Sequence, residues 1–262
     1  MPTRYGRTHV NACGPQEAQP LLLLPGQAIS STMWYPNVGA LSRAHRLLAL
    51  DIIGDLGKSV SSRPRLSPQD YRAWLIEVMD GLRLERAHVA GLSFGGYLAL
   101  RLALSAPERV GKLVLMAPAG QLPLRRVFFL RMGVVLLPAF VMSLEVKQKW
   151  LLGTYSPNLL PAFQQMMTSA DFRYQIFLSP VYTGKELAQV QPSTLLLVGG
   201  HEVVYDRQAA SSRAANMIPQ IEIEVIPGAG HALNFDRPEM VNGYLLDFLK
   251  EDPGWLHGLG QA

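Results

Sequence analysis

The sequence is poor in cysteine, in charge and in long apolar runs, and each shortage removes a class of function. One cysteine, Cys13, occurs in 262 residues. A lone thiol excludes an intramolecular disulfide and a cysteine-built metal cluster. No His, Asp and Glu residues stand at metal-ligand spacing, so no metal and no cofactor is expected. Gly228-Ala229-Gly230 is not followed by the helix that a dinucleotide loop requires. Charged residues are only 17% of the chain, and 24 Lys and Arg against 20 Asp and Glu leave a net charge of +4. The basic residues stand singly or in pairs, Arg125-Arg126 being the densest, with no aromatic platform between them. That pattern is a solvated surface and excludes a nucleic-acid footprint. The most apolar segment, residues 127–144, is interrupted by Arg131 and Pro138. A bilayer span takes about 20 apolar residues, so no integral membrane segment is expected. Met1-Pro2-Thr3-Arg4-Tyr5-Gly6 has none of the apolar core of a signal peptide, which points to the cytoplasm. Internal repeats and low-complexity tracts are also missing.

What the chain does have is a core. Hydrophobic residues make up 48% of it, enough for one large α/β domain with an insertion. Short apolar runs alternate with helical patterns. Leu21-Leu22-Leu23-Leu24, Leu47-Leu48-Ala49-Leu50-Asp51, Ala87-His88-Val89-Ala90, residues 112–116 and Leu195-Leu196-Leu197-Val198 read as buried strands. Residues 4–12 read as an edge strand, and Ile221-Glu222-Ile223-Glu224-Val225-Ile226 alternates. Helices are expected from Ser67-Pro68-Gln69-Asp70 to Leu82, over residues 97–104 and 207–217, and over 238–249. Strands alternating with helices predict an α/β fold, a mostly parallel central sheet with helices on both faces. Residues 121–190 break the alternation with a long apolar helical stretch, interrupted at Pro138, Gly153, Pro157, Pro161 and Pro180. That segment reads as a helical cap inserted into a core of residues 1–120 and 191–262. It would sit over the carboxyl ends of the strands, where ligands bind in open α/β sheets. Its breaks suggest a mobile lid.

The stretch that carries chemistry is Val89-Ala90-Gly91-Leu92-Ser93-Phe94-Gly95-Gly96. A buried strand leads in, and the helical run Tyr97-Leu98-Ala99-Leu100-Arg101-Leu102-Ala103-Leu104 leads out. This is G-x-S-x-G in a strand–turn–helix. A serine on such a turn stands clear of its own backbone, and glycines two before and two after remove the Cβ atoms that would crowd it. The helix beginning past Ser93 also offers free N–H groups to developing negative charge. Ser93 is therefore the candidate nucleophile.

At these residues the chain resembles the α/β-hydrolase family, over nearly its whole length outside the cap and the tail. The resemblance is carried by Pro25-Gly26 after a strand, by Asp51…Gly54…Gly57…Ser59, by Gly91-Leu92-Ser93-Phe94-Gly95-Gly96, and by Gly230-His231 after the last strand. Within the family, Ser30-Ser31-Thr32-Met33-Trp34-Tyr35-Pro36-Asn37 and Gly200-His201-Glu202-Val203-Val204-Tyr205-Asp206 resemble bacterial carboxylesterases of the naproxen-esterase type. In one departure, Pro25-Gly26 stands where many relatives carry His-Gly.

The resemblance implies catalytic partners in the chain order serine, acid, histidine. His231 and His257 follow the candidate acids, and His257 lies in a Gly-rich tail, so His231 is the expected base. His9, His45, His88 and His201 read as structural or exposed. Glu108, Glu145, Asp171, Glu222 and Glu224 lie elsewhere in the chain, which leaves Glu202 and Asp206 in the loop after the Leu195 strand. Glu202 is favoured, because relatives usually carry Asp at that place. Asp206 stands as the alternative acid, although its place just before a helix suits an N-cap. The oxyanion hole implied by the family is the backbone N–H of Phe94 and that of Gln27. The side chains of Gln27, Trp34 and Phe94 are expected to bind substrate. Asp51 and Asp55 precede the serine and are expected to fix their own loop.

The implied activity is that of a serine hydrolase cleaving carboxylic esters through an acyl-enzyme. Val127, Phe128, Phe129, Leu130, Met132, Val134, Val135, Leu136 and Leu137 suggest a small-molecule ester with an apolar acyl or alcohol group. Hydrolysis of an amide, thioester, lactone or carbon–carbon bond, a perhydrolase and a non-catalytic small-molecule receptor are the alternatives.

Overall fold

Leu21, Leu22, Leu23 and Leu24 are all closed off from solvent, and an extended strand sends alternate side chains to opposite faces. A strand buried on both faces needs cover on both, and the chain supplies it. The computed structural model describes residues 1–121, 126–135, 141–154, 156–168 and 177–250. The strands are β1 (Pro2–Thr3), β2 (Gly6–Arg7), β3 (Val10–Cys13), β4 (Pro20–Leu24), β5 (Arg46–Leu50), β6 (Val60–Ser61), β7 (Ala87–Leu92), β8 (Val110–Met116), β9 (Thr194–Gly199) and β10 (Ile221–Ile226). The helices are α1 (Tyr35–Leu41), α2 (Pro68–Gly81), α3 (Phe94–Ser105), α4 (Arg126–Val135), α5 (Leu144–Leu152), α6 (Leu160–Thr168), α7 (Gly184–Leu187), α8 (Arg207–Met217), α9 (Leu233–Asp236) and α10 (Pro238–Phe248).

Seven strands form one sheet in the order β10-β9-β8-β7-β4-β5-β3. Every neighbouring pair is parallel except β3 with β5. Leu22 and Leu24 pack with side chains of α2, α3 and α8, whereas Leu21 and Leu23 pack with α1 and α10. The sheet is thus the middle of three layers, which is why β4, β7 and β9 read as unbroken apolar runs. The edge strand β10 is half-solvated and alternates instead.

Residues 4–12 are not one edge strand. Gly6, at φ 130°, turns the chain, so that β2 pairs with β1 and β6 in a separate three-stranded sheet. Only Val10–Cys13 joins the main sheet, antiparallel to β5. The interruption between β8 and β9 is helical, and α4, α5, α6 and α7 lie there. Among the described residues no helix is long and apolar enough to cross a membrane. The tail, residues 251–262, lies outside the described residues.

The turn from β7 into α3 is tightly packed. Ser93 has φ 53° and ψ −113°, a conformation that L residues rarely adopt. Its N–H donates to Met116 O at 2.9 Å, and its carbonyl accepts from Ala119 N at 3.0 Å. A Cβ on Gly91 would stand 2.2 Å from Gly95 O, and one on Gly95 would stand 2.1 Å from Leu24 O. Both clashes are with backbone, so no side-chain movement relieves them. The glycines let α3 start hard against β7 and β4, and that packing holds the strained serine. Gly95→Ala is therefore expected to lower stability by about 1–3 kcal/mol, as overpacking does. Urea unfolding measures it, and an unchanged midpoint would show that the elbow has slack.

Candidate active site

Every loop that carries a candidate residue leaves the carboxyl end of a sheet strand. Gln27 follows β4, Asp51 and Asp55 follow β5, Ser93 follows β7, Glu202 follows β9 and His231 follows β10. The parallel sheet brings these loops to one edge.

His231 Nε2 lies 3.0 Å from Ser93 Oγ, and His231 Nδ1 lies 2.8 Å from Glu202 Oε2. An ionised carboxylate only accepts, so Nδ1 carries the ring proton and Nε2 is left to accept from the serine hydroxyl. Glu202 Oε1 accepts from the backbone N–H of Val203 and of Val204, each at 2.8 Å. Those two bonds turn the carboxylate towards the imidazole. Asp206, by contrast, accepts from Ala209 N at 3.0 Å and caps α8. It makes no contact with His231 among the described residues.

The His231 loop is tied to the segment that follows α5. His231 N donates to Leu152 O at 2.8 Å, and Ala232 N donates to Thr154 Oγ1 at 3.0 Å. Asp236 accepts from Gly230 N at 2.8 Å and from Ser156 N at 3.0 Å, joining the two chains again. A Cβ on Gly230 would meet Gly153 C at 2.3 Å, so the backbones touch. Leu152, Thr154 and Ser156 are thus bonded to the histidine loop and the short helix after it.

A cavity of about 390 Å³ opens beside Ser93 and His231. Gln27 and Phe94 line it, as do Met33, Phe128, Phe129, Met132, Phe163, Met166 and Phe177. Among the described lining residues none is Asp, Glu, Lys or Arg. Phe129 and Leu178 are exposed as well as lining, so the cavity meets solvent beside them. The Phe94 ring lies 5.2 Å from Phe177 and 5.4 Å from Tyr71, within an aromatic cluster that fixes one wall.

Trp34 is not part of this cavity. The 3₁₀ turn Ser31–Trp34 aims Met33 at the cavity and packs the Trp34 indole into the core with Leu41 and Leu47. Met33 also accepts from Gly26 N through its sulfur at 3.2 Å. Of the apolar run on α4, Phe128, Phe129 and Met132 line the cavity, but Val127 and Leu130 face solvent. The side chains of Val134, Val135, Leu136 and Leu137, and all of Asp171 and His257, lie outside the described residues. His88 is structural: burial first, then its cationic and histidine neighbours, push it down to about 3. Its Nδ1 accepts from Lys112 N at 2.9 Å.

Sequence reasoning passed over Tyr205. Its ring stands edge-on to His231 with centroids 6.3 Å apart, and it lines the cavity. Burial, and then the nearby Glu202 charge, hold its hydroxyl well above the usual phenol range, so it stays neutral. The signal for it was its place in the acid loop.

Gly26 N–H goes to Met33, and Ala28 N–H goes to Asp55 at 3.0 Å. A Cβ on Gly26 would lie 3.7 Å from Ser93 Cβ, so the loop after β4 runs directly past the serine.

The residue pattern and geometry have counterparts in known proteins. The family model described as the alpha/beta hydrolase family matches residues 21–243. Carboxylesterase YbfK of Bacillus subtilis (strain 168) is 39% identical over 94% of this chain and 86% of its own length. A second protein of that strain, named uncharacterized carboxylesterase nap, is 37% identical over 96% of this chain and 86% of its own. The crystal structure of naproxen esterase (carboxylesterase NP) from Bacillus subtilis superposes with a TM-score of 0.85 at 36% identity, covering 95% of this chain and 89% of that one. The chain belongs to the alpha/beta hydrolase family.

Proposed function

We propose that the protein is a serine carboxylesterase in which Ser93, His231 and Glu202 form the catalytic triad. The observation that carries this reading is the hydrogen-bonded line from Ser93 Oγ through the imidazole to Glu202, at 3.0 Å and 2.8 Å. Likeness to the two Bacillus carboxylesterases supplies the bond type.

Each step follows from that line. Ser93 Oγ attacks the ester carbonyl while His231 Nε2 takes its proton. The Glu202 carboxylate, already bonded at Nδ1, favours the imidazolium that forms. The carbonyl oxygen gains negative charge and is met by the backbone N–H groups of Gln27 and Phe94. What supports those two donors is the passage of the Gln27 loop beside Ser93 and the start of α3 at Phe94. The imidazolium then gives its proton to the departing alcohol and leaves an acyl-Ser93. Water, deprotonated by the same nitrogen, attacks the acyl carbon; the bond to Ser93 Oγ breaks, the imidazolium returns its proton to that oxygen, and the acid leaves.

The substrate is a small ester whose acyl or alcohol arm is apolar and uncharged. The cavity's aromatic and methionine lining supports this, and so does the lack of Asp, Glu, Lys and Arg among the described lining residues. Residues 121–190 act as a cap inserted into a core of 1–120 and 191–262, a division supported by the helices between β8 and β9 that wall the cavity. We assign the enzyme to the cytoplasm, a reading supported by its single cysteine.

Ser93→Ala is expected to lower turnover of p-nitrophenyl esters by about 10⁴-fold while leaving the fold intact. A variant that keeps its rate would remove the nucleophile assignment. The acid is tested by contrast. Glu202→Gln should lower kcat by about 10³–10⁴ with little change in stability, because the imidazole loses its orienting charge. Asp206→Ala should keep turnover and cost about 0.5–2 kcal/mol in unfolding free energy, because α8 loses its cap. The reverse pattern would make Asp206 the acid.

Chain length tests the cavity. Butyrate-to-octanoate or aromatic acyl esters are expected to show higher kcat/KM than acetate, each buried methylene being worth about 0.8 kcal/mol. Equal or better values for acetate would mean that the cavity does not hold the acyl arm.

A further inference from the structure

Asp55 does more than close its own loop. Its Oδ1 accepts from Leu56 N at 2.8 Å, which alone would settle the turn after β5. The same carboxylate also reaches the loop after β4, where Ala28 N–H stands 3.0 Å from Oδ1 and 3.1 Å from Oδ2. Ala28 is a buried, cavity-lining residue at φ 59°. A residue with a Cβ resists that left-handed conformation and needs something to hold it there. The neighbouring Asp51 clamps the same two loops further from the cavity, accepting from Ser31 N at 2.7 Å and from Lys58 N at 2.7 Å. Asp51 and Asp55 therefore bind one loop to the other at two points, and Asp55 is the point next to Gln27.

We propose that Asp55 is a positioning residue for ester hydrolysis, holding the strained Ala28 turn so that the Gln27 amide faces the oxyanion. The inference rests on the reading of Gln27 as an oxyanion donor. Burial raises the Asp55 carboxyl to about 6 against the two N–H bonds that lower it. A value above that of an unfolded chain means stability gained at low pH and lost as pH rises through about 6. At pH 8 the ionised Asp55 is thus a liability for folding. An anion retained there at that cost fits a part in the turn's geometry better than a part in stability alone.

The test is made at pH 8 on the full chain, with p-nitrophenyl esters and thermal unfolding. Ala28 N stands 3.0 Å from Oδ1 and 3.1 Å from Oδ2, so Asp55→Asn sets an NH2 donor against Ala28 N–H whichever way the amide turns, and the hold on that turn weakens. The variant's kcat is expected to fall by about 10–100-fold, short of the 10²–10³ that follows outright loss of an oxyanion donor. KM should change by less than about threefold, because the apolar cavity is untouched, and Tm should stay within about 4 °C. Adding Ala28→Gly should recover about fivefold or more of the lost kcat, since glycine takes a positive φ without the penalty. An unchanged kcat in Asp55→Asn, with Ser93→Ala inactive, overturns the positioning role and leaves the esterase reading standing. Full activity of Ser93→Ala brings down the esterase reading and this inference with it. A fall in kcat that tracks a collapse in Tm and is not rescued by Ala28→Gly also overturns the proposal. Should Asp55→Asn not fold, Asp55→Glu keeps the charge and moves it by one methylene. A lower kcat at constant KM is then expected, and wild-type kcat overturns the role.

Discussion

The backbone of Ser93 sits where an L residue is strained, and the rest of the site depends on its being held there. Its N–H and carbonyl are bonded to β8 and to the turn just after it, at Met116 and Ala119. Gly91 and Gly95 let α3 begin at a distance from β4 and β7 that any Cβ would forbid. The strain is thus opposed by the close packing of α3 against the parallel strands β4 and β7. One result is a hydroxyl raised above the sheet edge. A second is a helix whose first residue, Phe94, lines the same cavity. Moving the sheet or the helix would undo both.

The other loops reach the serine only because they are tied in their turn. The imidazole is aimed by Glu202, whose second oxygen is spent on two backbone amides. The loop beneath it is bonded to the chain after α5 through Leu152, Thr154 and Asp236. The helical segment between β8 and β9 therefore has two jobs of different kinds. Its apolar faces wall the cavity, and its Leu152, Thr154 and Ser156 brace the histidine loop.

How much of this could be read from residues depends on how local the signal is. The β7 run, the glycines around Ser93 and the helical pattern after it are consecutive, so the elbow was legible in full. The sheet was legible for the same reason, since central strands covered on both faces are continuous apolar runs. His231 and Glu202 were found by their order after strands, and the fold brings both into one hydrogen-bonded line with Ser93. Trp34 was misread because a 3₁₀ turn rotates consecutive residues by about 120°, and only coordinates say that Met33 and not Trp34 meets the cavity. Residues 4–12 were misread because one positive φ at Gly6 splits an alternating pattern between two sheets. The bonds from Asp236 to Ser156 and from Asp55 to Ala28 join residues far apart in the chain. No periodicity or spacing announces such contacts.

The central claim is that one serine attacks an ester carbonyl carbon, with one imidazole taking its proton and two backbone amides meeting the carbonyl oxygen. A crystal structure of the protein inactivated by an alkyl organophosphonate tests it most directly, because the tetrahedral phosphorus copies the geometry of the attacked ester. The account predicts phosphorus bonded to Ser93 Oγ, with a phosphoryl oxygen about 2.7–3.1 Å from the amide nitrogens of both Gln27 and Phe94. The alkyl arm should lie among Phe128, Met132 and Phe163. An adduct on Ser30, Ser31 or Ser59, or a phosphoryl oxygen turned away from both amides, would contradict it.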